Sequence, residues 1–201
     1  MKKNGALFSE TRSETLSLFF LNPTRKFYLR EVTRLVKKGH GSVQRELETL
    51  TSAGHLDSSR SGNRQYYQVN VKHIAFEALR DLVCQTIGPV GRIHRALRSL
   101  KSKINVALIF GSVASYTADT HSDLDLLIIG HVRYEDVFRC LSHVQETMNR
   151  EISPAIYEPD DFKNRITSSN SFIQNIIKGE KLFVVGGENE LAQLVQEGLA
   201  T

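Results

Sequence analysis

An α+β chain built from two dissimilar halves is what this sequence predicts, and three observations carry the prediction. Helical periodicity fills the first half and ends in a hairpin signature, while in the second half β-branched strands alternate with amphipathic helices. The charge also changes sign. Residues 1–72 carry a net +7, residues 73–103 a net +4 and residues 104–201 a net −7, within an overall +4. A basic front suits a polyanionic partner, and an acidic back suits a ligand that arrives with a cation. Domains are therefore expected at 1–72 and 104–201, joined by a helical linker at 73–103.

In the front half, Ser9 to Phe20 places Leu16, Leu18, Phe19 and Phe20 on a helical pattern that Asn22-Pro23 stops. Lys26 to Leu29 is extended in character. A short helix follows from Leu29 to Lys37, then a turn over Lys38-Gly39-His40-Gly41. A second helix runs from Ser42 to Ala53, with Val43, Leu47 and Leu50 apolar at i, i+4 and i+7 and Gly54 as its C-terminal cap. His55–Ser59 and Gln65–Asn70 read as hairpin strands around a basic tip, Arg60-Ser61-Gly62-Asn63-Arg64. If Val43, Leu47 and Leu50 face a core, the opposite helix face presents Gly41, Arg45, Glu48 and Ser52, flanked by Ser42, Gln44 and Thr49.

The linker reads as a helix from His73 to Thr86, a break at Gly88-Pro89 and a second helix from Ile93 to Leu100. Beyond it come an apolar strand, Ile104 to Phe110, a Gly111-Ser112 break, a short helix-compatible segment and a second apolar strand headed by Asp123-Leu124-Asp125. A helix with Val137, Phe138, Leu141, Val144 and Met148 inward spans Tyr134 to Asn149. A strand from Glu151 to Tyr157 contains Pro154, which implies a sheet edge or an irregularity. Two further helices (through Ile166, and Ser171–Lys178), a strand (Lys181–Val185) and a last helix (Glu188–Leu199) complete the chain.

The chemistry follows from spacing. Side chains at i and i+2 of a strand share a face, so Asp123 and Asp125 project together as a hard-oxygen platform for Mg²⁺ while Leu124 and Leu126 point the other way. Asp125 heads the run Leu126-Leu127-Ile128-Ile129, where a carboxylate without a cation is costly to bury. A strand ending in Gly111-Ser112 and turning into a helix offers backbone N–H groups and a hydroxyl to a phosphate. Together these features point to a metal-bound nucleoside triphosphate.

Gly111, Ser112, Ala114, Ser122, Asp123 and Asp125, arranged as Gly-Ser, a ten-residue spacer and Asp-x-Asp in an apolar strand, resemble the signature of the minimal nucleotidyltransferases of the DNA polymerase β superfamily. The resemblance implies a mixed sheet, catalytic and metal-binding roles for Asp123 and Asp125, and nucleotide contacts from Gly111, Ser112 and Ser122. Two departures stand out. Ser115-Tyr116 replaces the family's basic residue and glycine, and Ser153 occupies the position of its third carboxylate, with Glu151 on the same face one step earlier. The front half, a helix, a helix–turn–helix and a hairpin with a basic tip, looks like a winged helix-turn-helix. That resemblance implies double-stranded DNA as partner, with Arg45 at a base edge, Ser42, Gln44 and Thr49 beside it, and Arg60 and Arg64 on phosphates or in the minor groove.

Three functions fit this reading. One is a DNA-binding regulator that transfers a nucleotidyl group from an NTP to an unknown hydroxyl. Another is a transcriptional regulator whose nucleotidyltransferase-like domain binds nucleotide without turnover, which Ser153 favours. The third is an antitoxin-like minimal nucleotidyltransferase. A homodimer is the expectation by analogy with regulators of palindromic sites. No membrane-length apolar run and no signal-peptide core are present, so a cytoplasmic location is expected. Cys84 and Cys140 are read as thiols rather than a disulfide, and the seven histidines lack zinc-ligand spacing.

Overall fold

Helix α1 (Glu10–Phe20) begins where the Ser9 side chain accepts from the Arg12 N–H at 3.3 Å and buries Leu16, Phe19 and Phe20. The computed structural model describes residues 8–115, 117, 122–148, 150–168 and 170–199, and these form two compact units, Met1–Pro89 and Val90–Thr201.

In the first unit α1 is followed by β1 (Phe27–Tyr28), α2 (Leu29–Val36), α3 (His40–Ser52), β2 (Leu56–Ser61), β3 (Arg64–Val69) and α4 (Phe76–Thr86). The three strands form an antiparallel sheet in the order β1-β3-β2. The β2–β3 register pairs Ser61 with Arg64, so Gly62-Asn63 is the hairpin turn that the dipeptide signals. Helix α3 starts at His40, two residues before the expected Ser42, with Gly39 in extended conformation as its cap. At its other end Gly54 has φ 78°, its N–H donates to the Thr51 carbonyl, and the His55 N–H donates to the Leu50 carbonyl, both at 2.9 Å. That pair of bonds satisfies the last carbonyls through a left-handed residue, which glycine adopts without strain.

The core of this unit gathers Phe19, Phe27, Val32, Val43, Leu47 and Val83, with Phe19 and Phe27 edge to face at 5.3 Å. Phe20 stacks on Phe76 at 5.8 Å, and Val83 and Ile87 join the same cluster. Helix α4, read from sequence as linker, thus packs into the first unit.

The second unit runs α5 (Pro89–Ala96), a 3₁₀ segment (Leu97–Lys103), β4 (Ile104–Phe110), β5 (Leu124–Gly130), α6 (Tyr134–Met148), β6 (Ile152–Tyr157), α7 (Pro159–Thr167), α8 (Ser171–Lys178), β7 (Leu182–Val185) and α9 (Glu188–Leu199). The expected α-helix through Leu100 therefore gives way to 3₁₀ geometry at Leu97. The sheet order is β6-β5-β4-β7. It is mixed, with β5 and β6 parallel through α6 and the other pairs antiparallel. Val106, Leu108, Leu127 and Ile129 pack with Phe162, Ile166, Ile173 and Leu191 from α7, α8 and α9. Leu126 and Ile128 alternate to the opposite face and are fully buried.

Strand β6 is an edge, as Pro154 implied. The Leu124 N–H donates to the Glu151 carbonyl at 2.9 Å, whereas the Ile152 N–H turns outward to Gln145 Oε1 at 2.7 Å. By alternation the Pro154 nitrogen also faces away from β5, so its missing N–H removes no ladder bond. Among the described residues no helix is long and apolar enough to cross a membrane.

Candidate functional site

Strand β4 ends at Phe110, the ladder partner of Asp125, and the chain then turns at Gly111 with φ 72°. A Cβ at Gly111 would lie 2.6 Å from Asp125 Oδ2, so only glycine lets this backbone close on that carboxylate. Asp125 lies on the same strand face as the core residues Leu127 and Ile129 and faces the same side as Ser153, its register partner on β6. Asp123 lies just ahead of β5 and is exposed, whereas the flanking Leu124 and Leu126 are fully buried. Burial first, and the charge of Asp123 second, push the Asp125 carboxyl above its ordinary range. Among the described residues neither aspartate has a cationic side chain in an ion pair.

The segment after Gly111 departs from expectation. Residues 111–115 form turns rather than a helix, and residues 118–121 lie outside the described residues. Ser115 Oγ donates to the Gly111 and Ser112 carbonyls at 3.2 and 3.3 Å and lies 2.9 Å from Thr117 Oγ1, while the Thr117 N–H donates to the Ser112 carbonyl at 2.9 Å. Hydroxyls that bond nearby carbonyls offer the backbone an alternative to helix continuation. The phosphate-facing helix N-terminus expected here is therefore not formed by residues 111–115; Ser112 and Ser122 are half-buried, and Ala114 is buried.

A groove of about 820 Å³ opens beside Asp125 and runs round the β6 edge past Glu151, Ser153, Gln145 and Arg150. Of the expected site residues only Asp125 lines it; Gly111 meets Asp125 directly, and Asp123 acts on it through charge. Across the ladder from Asp125 stands the hydroxyl of Ser153 rather than an acid, and among the described residues no cluster of three or more His, Cys, Asp or Glu is placed to hold a metal. A partly buried carboxylate and an exposed one whose charge repels it nonetheless make a donor pair that a hard divalent cation would neutralise.

Sequence reasoning missed the aromatic walls of this groove. Phe172, in the first turn of α8, is 42% exposed and meets Phe110 edge to face at 5.6 Å. On α6, Tyr134 and Phe138 stack at 6.2 Å and are 57% and 51% exposed, so Phe138 does not point inward as expected. In sequence these residues extend ordinary helical apolar patterns, and nothing in the periodicity separates them from core positions.

The basic face of the first unit is laid out as the helical wheel implied. Arg45, Gln44 and Thr49 on α3 and Arg60 and Arg64 on the hairpin are exposed, and Ser42 is half-buried. Gln44 Nε2 donates to Glu48 Oε1 at 2.9 Å, Thr49 Oγ1 to the Arg45 carbonyl at 2.8 Å and Ser42 Oγ to the Gly39 carbonyl at 2.7 Å. The Arg64 guanidinium sits 4.9 Å over the Tyr28 ring. A second groove, about 670 Å³, is lined by Gln44, Glu48 and Arg64 together with Arg30 and His40, two basic side chains that the sequence did not single out.

Comparison with known proteins bears on the second unit. Residues 92–186 match the family model described as Polymerase beta, Nucleotidyltransferase. Among solved structures, the chain is similar to a toxin–antitoxin crystal structure with AMP-PNP, at 11% identity and TM-score 0.40, over 56% of this chain and 85% of that one. It is also similar to a mutant of the toxin–antitoxin MntA-HpeT (9%, TM-score 0.39, 55% and 84%). A third similar structure is the tri-AMPylated Shewanella oneidensis HEPN toxin in complex with MNT antitoxin (9%, TM-score 0.35, 55% and 81%). No curated protein matches the chain. With the mixed sheet, the Gly-Ser turn and the paired aspartates inside the matched span, residues 92–186 make up a nucleotidyltransferase-like domain.

Proposed function

We propose that the C-terminal domain binds a nucleoside triphosphate with Mg²⁺ and transfers its nucleotidyl group to a hydroxyl acceptor. The observation that carries this reading is the closure of Gly111 on Asp125 beside Asp123, at the mouth of an open groove. In such a transfer the acceptor oxygen attacks the α-phosphorus, the bond to the β-phosphate oxygen breaks and pyrophosphate leaves. Asp123 and Asp125 are the residues that would hold the ion, and Gly111, Ser112 and Ser122 those that would contact the nucleotide. When bound, Mg²⁺ supplies charge neutralisation of the triphosphate and eases ionisation of the acceptor hydroxyl.

Ser153 opposite Asp125 supports a second reading, in which nucleotide is held without turnover. Incubation with labelled NTPs and Mg²⁺ separates the two. Label transfer that falls at least about 10²-fold in Asp123→Asn/Asp125→Asn supports the enzyme. Mg²⁺-dependent binding with no transfer supports the sensor, and absence of binding rejects both.

The first unit, in this reading, is a winged helix-turn-helix that docks α3 and the hairpin tip on double-stranded DNA. The exposed row Gln44, Arg45 and Thr49, with Arg60 and Arg64 on the hairpin and a net +7 over residues 1–72, supports it. Arg45→Ala is expected to weaken DNA binding by roughly 1–3 kcal/mol, measured by fluorescence anisotropy across a salt series. Binding indifferent both to that change and to salt would reject the assignment.

A further inference from the structure

We propose that Phe172 is the platform on which the base of the bound nucleotide stacks, so that the ligand lies along the groove with its phosphates toward Gly111 and Asp125. The inference rests on the nucleotide-binding reading above and adds the residue that grips the end of the ligand remote from the reacting phosphates.

Phe172 is held in place on two sides. The Asn170 side-chain oxygen accepts from the Phe172 and Ile173 N–H groups at 3.1 and 3.2 Å, which fixes the first turn of α8. The ring meets Phe110 edge to face, and Phe110 is the residue directly across the ladder from Asp125. A chain of two contacts therefore ties the platform to the carboxylate. In an edge-to-face pair only part of each ring surface is used, and the 42% of Phe172 left exposed lines the same groove as Asp125. The groove volume, about 820 Å³, is within the range that small-molecule sites span. An exposed aromatic wall beside a carboxylate pair that would hold a divalent cation matches a ligand with a metal-bound anionic end and a flat apolar end, which is the chemistry of a nucleotide.

The other aromatic pair lines the same groove from a different side. Tyr134 and Phe138 sit on α6, which joins β5 to β6 and packs with β6, whereas Asp125, Ser153 and Phe172 belong to the face covered by α7 and α8. Stacking is tolerant of base identity because every base has a π-face. Phe172 thus supplies affinity for nucleosides as a class.

Equilibrium dialysis of the full chain with Mg²⁺, using ATP, CTP and tripolyphosphate as probes, tests this. Phe172→Ala is expected to weaken ATP and CTP by roughly 5- to 140-fold and to leave tripolyphosphate within about twofold, because tripolyphosphate has no base to stack. Phe172→Tyr is expected to keep near wild-type affinity for all three. Phe172→Ala that leaves ATP unchanged, or that weakens tripolyphosphate as much as ATP, overturns the platform. A wild-type chain that binds tripolyphosphate as tightly as ATP also overturns it but leaves the phosphate and metal site standing. A wild-type chain that binds neither overturns the nucleotide reading itself.

Discussion

In the N-terminal unit the carboxylates of Glu46 and Glu31, 10% and 13% exposed, each meet a guanidinium at 2.6 Å, from Arg12 and Arg25. In the C-terminal unit the partly buried Asp125 is shaped instead by a like charge, that of Asp123, and by a backbone turn that closes against it. The first arrangement neutralises acid within the chain and leaves a surplus of arginine on the surface. The second concentrates acid that no cationic side chain among the described residues pairs with. Carboxylates paired to arginine serve the fold, whereas carboxylates that repel each other are relieved by a cation from outside or by taking up a proton.

Substitutions at these positions should therefore pull in different directions. The largest effect is expected at Gly111→Ala, which adds a Cβ 2.6 Å from Asp125 Oδ2 at a left-handed φ of 72°. Strain of about 1–3 kcal/mol, with a displaced carboxylate, should lower the unfolding midpoint and weaken MgATP together. A variant with unaltered MgATP affinity would show that the turn does not position the acid.

Arg12→Ala should cost somewhat less, about 1–2 kcal/mol, since it strands the buried Glu46 while Arg12 itself is 41% exposed. Urea unfolding measures the loss, and adding Glu46→Gln should recover part of it. A double variant no more stable than Arg12→Ala alone would break the claim that this acid belongs to the fold.

The smallest effect should have the opposite sign. A carboxyl whose folded-state pKa is raised favours the native state below its unfolded value, and that contribution is lost as pH rises through the raised value. At neutral pH in EDTA, Asp125→Asn should therefore melt slightly higher than wild type, with the gap closing as pH falls toward the ordinary carboxylate range. An Asp125→Asn chain that melts below wild type at both pH values would contradict the picture of an acid held against its own stability.

Much of this arrangement was legible in the sequence because it rests on local rules. The bounds of β4, α8 and α9 follow directly from apolar runs and breakers, Gly54 from helix-end chemistry and the edge position of β6 from Pro154. What escaped depended on tertiary context. Helix α3 runs through His40-Gly41, where two glycines read as a turn, because Val43 and Leu47 anchor it in the core. The turn after Gly111 is governed by hydroxyl–carbonyl bonds of Ser115 and Thr117 that periodicity does not register. Phe138 follows the inward pattern of α6 yet is half exposed, since the period of a helix does not say where the sheet beneath it ends. The division of the linker between the two units is of the same kind: the stacking of Phe20 on Phe76 and the burial of Val83 and Ile87 in the same core assign α4 to the first.

The margin of β6 has a consequence for self-association. A neighbouring chain that tried to extend the sheet there would find one amide hydrogen absent, at Pro154, and the one before it already committed to Gln145. Backbone pairing thus loses two successive donors at the rim where the groove beside Asp125 opens.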